Sequence, residues 1–111
     1  MELLARKPRP TAVIATNDVF AVGAMLACRE AGVRIPQDVS ITGVDDTDLG
    51  ATQTPGLTSI RTPIVEIGRA AAHQLVARLE GRSAELSQAL PFELVHRGST
   101  GAPPHTARTR R

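Results

Sequence analysis

The stretch Asp38–Leu49, DVSITGVDDTDL, limits what this chain can fold into more than any other. Its first part, Val39-Ser40-Ile41-Thr42-Gly43-Val44, is rich in β-branched residues. It alternates Val39, Ile41 and Gly43 with Ser40, Thr42 and Val44, which is the period of a strand. The run stops abruptly at two carboxylates, Asp45 and Asp46. Polar groups just past the C-terminal end of a strand sit where open α/β sheets bind their ligands. On these residues alone the edge admits a metal site, an acid–base pair or a binding edge.

The rest of the chain alternates strand-like and helix-like segments around that edge. Met1–Arg6 resembles the last turns of a helix, ended by Pro8 and Pro10. Thr11–Ala15 is a continuous apolar run, the pattern of a strand buried on both faces. Asn17 follows as an N-cap and Asp18 as a first-turn acid that complements the helix dipole. The helix is predicted to reach about Ala31, with Phe20, Ala24, Ala27 or Cys28, and Ala31 facing inward and Gly32 closing it. After the Asp45–Asp46 edge comes a short helical segment, Thr47 to about Thr52, with Asp46 as its expected cap. Leu57–Arg61 is a third strand. Thr62 is the expected cap, and Pro63 the first residue, of a helix running to Glu80. That helix carries Ile64, Ile67, Ala71, Leu75 and Leu79 on one face, with Gly68 beside the stripe as either a close-approach site or a tolerated helix glycine. Pro91–Arg97 is the last strand, and residues 101–111 are expected to form a disordered tail. Such alternation predicts an α/β fold with parallel strands and helical crossovers.

At 111 residues the chain suits one small domain, and with Phe20 and Phe92 as its only aromatics the core must be aliphatic. The net charge is +2, with much of the positive excess at the two ends, so the body is not a basic nucleic-acid surface. A single cysteine, Cys28, excludes an internal disulfide and fits a reducing, cytoplasmic setting; within an apolar helix it reads as an inert thiol. No apolar run approaches the roughly 18 residues of a membrane span, and MELLARKPRP lacks a signal peptide's apolar segment. His73, His96 and His105 are too dispersed for a metal motif, so no metal or cofactor is expected. A magnesium-dependent α/β enzyme using Asp45 and Asp46, with Asp48 nearby, remains a weaker alternative. It lacks a glycine-rich phosphate loop and a lysine near the acids, and the chain is not expected to be an enzyme.

Four blocks, in order and at matching spacing, resemble the C-terminal part of the lactose-repressor/galactose-repressor (LacI/GalR) family of bacterial transcription regulators. They are Asn17-Asp18 with Gly23-Ala24; Ile35-Pro36 with Asp38-Val39-Ser40; Gly43-Val44-Asp45-Asp46; and Pro55 with Leu57-Thr58 leading to Gly68. They span residues 8–100, and the combination is far more specific than any single block.

The resemblance implies the C-terminal lobe of a periplasmic-binding-protein-like effector domain over residues 1–100, with the helix 62–81 belonging to the other lobe. It implies a piece of a longer regulator, or a truncated reading frame, whose DNA-binding helix-turn-helix lies outside this sequence. It implies a homodimer and a small-molecule effector, a sugar or a nucleobase, that controls DNA binding allosterically. A free-standing periplasmic binding protein is the alternative within the same architecture. On the family pattern, Asp45 is the ligand acceptor, with capping of the next helix as its structural alternative, and Asn17 contacts effector alongside its capping role. Thr62 and Ile67 are weaker ligand candidates, more readily a cap and a core residue. Val22 and Gln53 fall where family dimer contacts lie, against core packing and an exposed loop respectively.

Overall fold

Val39 and Ile41 are completely buried and Gly43 is buried with them, while Ser40, Thr42 and Val44 stay half-buried. The alternation in sequence is therefore the alternation of the strand. In the computed structural model, which describes residues 2–82 and 87–104, the elements are α1 (Glu2–Ala5), β1 (Ala12–Ile14), α2 (Asp18–Glu30), β2 (Ser40–Val44), α3 (Asp48–Ala51), β3 (Thr58–Arg61), α4 (Ile64–Leu79) and β4 (Glu93–Val95). The sheet order is β1-β2-β3-β4. β1 runs parallel to β2 with Ile14 opposite Thr42, and β2 runs parallel to β3 with Val44 opposite Ile60. The fold is the expected α/β type with a mostly parallel sheet. None of the described helices is long and apolar enough to cross a membrane.

The chain divides into two compact units, Met1–Arg61 with Leu94–Arg111, and Thr62–Glu93. The first holds the core: Ala21, Met25, Cys28, Val33, Val39, Ile41 and Leu57, with Leu4, Val13, Ala15, Ala24 and Ile35 packed against them. Burying a side chain the size of Met25, Ile41 or Leu57 stabilises by about 1.5–3 kcal/mol, so this aliphatic cluster is the unit's main source of cohesion. Cys28 lies within it, and burial pushes its thiol above the ordinary value against a smaller opposing pull from Arg9.

Three expectations about packing are corrected. β1 is not buried on both faces: Ala12 and Ile14 are exposed, Ile14 by 85%, while Val13 between them packs against the core, so only one face of the strand is covered. The buried face of α2 is Asp18, Ala21, Val22, Met25 and Cys28, whereas Phe20 is 65% exposed. A carboxylate belongs to the inward stripe, which rotates the helix away from the purely apolar alignment. In the second unit α4 buries none of its residues, and Pro63 rather than Thr62 is its N-cap, without a side-chain bond because proline has no acceptor to offer. Gly68 has open space where a Cβ would stand, so it is the tolerated helix glycine rather than a close-approach site. Gly81, at φ +71, ends α4 as its N–H bonds Arg78 O and the Arg82 N–H bonds Ala77 O, the paired closure that a left-handed residue permits.

The segment after β4 is stitched into the sheet rather than loose. Ser99 is fully buried; its carbonyl accepts the Ile41 N–H at 2.9 Å and its own N–H donates to Gly56 O at 3.0 Å. Its hydroxyl donates to Ile41 O at 2.6 Å and accepts the Thr58 N–H at 2.8 Å. Gly101, placed by sequence in a disordered tail, exchanges hydrogen bonds with the Ser40 hydroxyl. Residues 105–111 of that expected tail, with His105, lie outside the described residues.

Candidate functional site

The C-terminal ends of β1 and β2 bring two of the sequence candidates to one edge of the first unit. Asn17 follows β1 and is half-buried; its Oδ1 accepts the Phe20 N–H at 2.9 Å, so the oxygen caps α2. Its amide nitrogen has no partner among the described residues and keeps two donors. Asp45 follows β2 directly and is exposed. Its backbone sits at φ +105, a conformation that L side chains rarely adopt, and its N–H donates to Ile60 O at 2.8 Å. No group among the described residues engages its carboxylate.

Asp46 behaves differently from its neighbour and from its expected role. The cap of α3 is Thr47, whose hydroxyl accepts the Gly50 N–H at 3.3 Å. The Asp46 carboxylate, only 6% exposed, pairs instead with Arg61 Nε at 2.7 Å and Arg97 Nη2 at 2.6 Å. Burial by itself pushes this carboxyl up, but the guanidiniums of Arg97 and Arg61 outweigh it and hold the group below the usual carboxylate range. Arg97 also donates to Leu57 O at 2.8 Å, tying the segment after β4 to the edge. With Asp46 so occupied, the magnesium alternative loses a ligand, and no group of three or more His, Cys, Asp or Glu among the described residues could hold a metal.

Asp18 stands in the first turn of α2 as expected, but it is only 1% exposed and has partners far along the chain. Its Oδ2 accepts the Thr47 N–H at 2.6 Å and the Thr47 hydroxyl at 2.9 Å, and its Oδ1 accepts the Ser59 hydroxyl at 2.6 Å. Neither Asp18's long-range bonds nor the roles of Ser59, Arg97 and Ser99 follow from local sequence.

The remaining candidates lie elsewhere. Thr62 and Ile67 belong to the second unit, where Thr62 is half-buried and Ile67 exposed. Val22 is 7% exposed on the buried face of α2, and Gln53 is half-buried with its amide donating to Leu49 O at 2.8 Å.

Residues 1–100 match the periplasmic binding protein-like domain family. The lactose operon repressor of Rhizobium radiobacter is 39% identical over 101 residues, covering 91% of this chain and 89% of that protein. The chain belongs to the lactose-repressor/galactose-repressor (LacI/GalR) family. Two solved LacI-family regulators have the same fold. One, from Bifidobacterium animalis subsp. lactis, has a TM-score of 0.85 at 37% identity, covering 93% of this chain and 38% of that one. Another, from Arthrobacter in complex with lactose, has a TM-score of 0.75 at 34% identity, covering 90% and 39%. The chain spans 28% of the length of the HTH-type transcriptional regulator MalR of Streptomyces coelicolor, to which it is 41% identical over 95 residues. It therefore corresponds to part of a LacI-type effector-binding domain.

Proposed function

We propose that this chain is the effector-sensing and dimerising portion of a LacI-type transcriptional regulator. A small polyhydroxylated effector, a sugar, binds the edge carrying Asp45 and Asn17. The observation that carries this is Asp45 itself. It is an exposed carboxylate with no partner among the described residues, kept in a rare backbone conformation at the end of β2. Strained residues of this kind cost about 1–3 kcal/mol, and they concentrate where function requires them. Asp45 offers only acceptors and the free Asn17 amide offers donors, which together suit hydroxyls that both donate and accept. Effector binding then shifts the population of the whole regulator between DNA-binding states, which requires differential affinity for those states. Thr62 and Ile67 as further ligand contacts, and Val22 and Gln53 as dimer contacts, stand on the family resemblance and belong to the same proposal.

The test is thermal unfolding of the chain with lactose, cellobiose, ribose and adenine in turn. A true effector at a hundredfold excess over its Kd stabilises by about 2.7 kcal/mol and raises Tm by several degrees. Lactose or another sugar is expected to raise Tm in the wild type and to have no effect in Asp45→Ala. A shift that survives Asp45→Ala, or none with any of the four compounds, overturns the proposal.

A further inference from the structure

Beside the Ile60 carbonyl and the Arg61 and Arg97 guanidiniums, the loop that carries Asp45 is held by the buried carboxylate of Asp18. Asp45 and Asp46 both have positive φ, +105 and +51. Neither is glycine, so the surroundings must impose the conformation. The Thr47 N–H and hydroxyl both point at Asp18 Oδ2. The Ser59 hydroxyl spends its one proton on Asp18 Oδ1, which turns its lone pairs toward the Asp46 N–H at 3.1 Å. Two consecutive amides of the loop, Asp46 and Thr47, are thus oriented by Asp18, one through Ser59 and one directly. Space is reserved for that carboxylate. A Cβ on Gly43 would stand 2.3 Å from Asp18 Oδ1, and one on Gly50 would stand 3.0 Å from Asp18 Oδ2.

We propose that Asp18 is the positioning residue of the ligand edge: through Thr47, and through Ser59 to Asp46, it fixes the left-handed backbone at Asp45–Asp46 and so aims the Asp45 carboxylate. The role rests on Asp45 being the ligand acceptor. A carboxylate suits the geometry because all three groups facing Asp18 donate. In Asp18→Asn the amide NH₂ must face either the Thr47 N–H, which cannot accept, or the Ser59 hydroxyl, which then has to turn its proton away from residue 18 and disturb its bond from the Asp46 N–H.

Two measurements on the chain test this. In amide exchange, Asp18→Asn is expected to cost Asp46 and Thr47 roughly ten- to hundredfold in protection while Ile41 and Gly43 keep theirs. Ser59→Ala, which empties less of the site, is expected to expose the Asp46 amide alone. Equal loosening of Ile41 and Thr47, or no loosening at Thr47, overturns the proposal and leaves Asp18 a core group. The second measurement is the lactose Kd in a double-mutant cycle of Asp18→Asn with Asp45→Asn. If Asp18 acts through Asp45, the double variant binds no more weakly than Asp45→Asn, within about twofold; additive losses overturn the role. Lactose affinity lost in Asp45→Asn but kept in Asp18→Asn overturns only the role of Asp18. Affinity unchanged by Asp45→Asn overturns the ligand assignment of Asp45 together with it.

Discussion

Asp18 Oδ2 receives the Thr47 backbone N–H at 2.6 Å across 29 positions of sequence, joining the start of α2 to the start of α3. This contact needs room that only glycine leaves at Gly43, where a Cβ would also approach Leu57 Cδ2 to 3.0 Å. Gly43→Ala is therefore expected to destabilise by more than about 2 kcal/mol in urea unfolding, since a buried carboxylate and its donors must shift together. Gly68→Ala, in open space within α4, is expected to stabilise by about 0.5–1 kcal/mol through helix propensity. Equal effects at the two glycines would contradict this account of Gly43.

Ser99 closes the gap between β2 and the start of β3 with a hydroxyl that both donates and accepts. Ser99→Ala leaves the Ile41 carbonyl and the Thr58 N–H without those partners in a fully buried position. The expected loss is about 1–3 kcal/mol by urea unfolding, with faster exchange at the Thr58 amide. An unaltered midpoint would show that water replaces the hydroxyl there.

Asp46 links stability to pH. Its carboxyl is held below the ordinary value of 3.8, with Arg97 and Arg61 overcoming the upward push of burial. A carboxyl depressed in the folded state contributes stability above its unfolded pKa, and that contribution is lost as pH falls through the folded value. The stability gap between wild type and Asp46→Asn is thus expected to be full above about pH 5 and to shrink as the pH is lowered past the unfolded value near 3.9. Asp38 lies in the same window, since the Arg34 side-chain hydrogen bonds hold it well below the usual carboxylate range. The comparison must therefore be made between variants rather than on the wild type alone. A gap that does not change with pH would rule out the ion pairs as its source.

The parts of the fold legible in sequence are those set by local pattern. Val39, Ile41 and Gly43 face the core because strand period and burial coincide. Asn17 caps α2 because a short amide can fold back on the next turn. The rotation of α2 was not legible, because its buried face includes Asp18, and nothing near Asp18 in sequence supplies the donors that make a carboxylate tolerable inside. Those donors, Thr47 and Ser59, lie 29 and 41 residues away. Asp46 is a second case: local sequence predicts a cap, but Arg61 and Arg97 reach it from β3 and from the segment after β4. At the candidate site the position of Asp45 just past the end of β2 is legible in sequence, while its positive φ depends on contacts that only the fold assembles.

That positive φ gives the last prediction. Asp45 sits at φ +105 with an exposed carboxylate that no described residue engages, so its strain is not offset by a bond of its own side chain. Asp45→Gly removes the strain of a few kcal/mol at most, while the greater freedom of glycine in the unfolded chain takes back about 0.5–1 kcal/mol. The net expectation is a gain of roughly 1 kcal/mol in urea unfolding, accompanied by at least a tenfold loss of sugar affinity, since a charge-assisted acceptor contributes about 1.5–3 kcal/mol. Asp45→Asn keeps the side-chain shape and tolerates positive φ better than most residues, so it should change stability little and lose affinity in the same direction. A glycine variant that is less stable than wild type would mean that the loop draws stability from the Asp45 side chain itself. Opposite movements of stability and affinity are what a strained ligand acceptor requires.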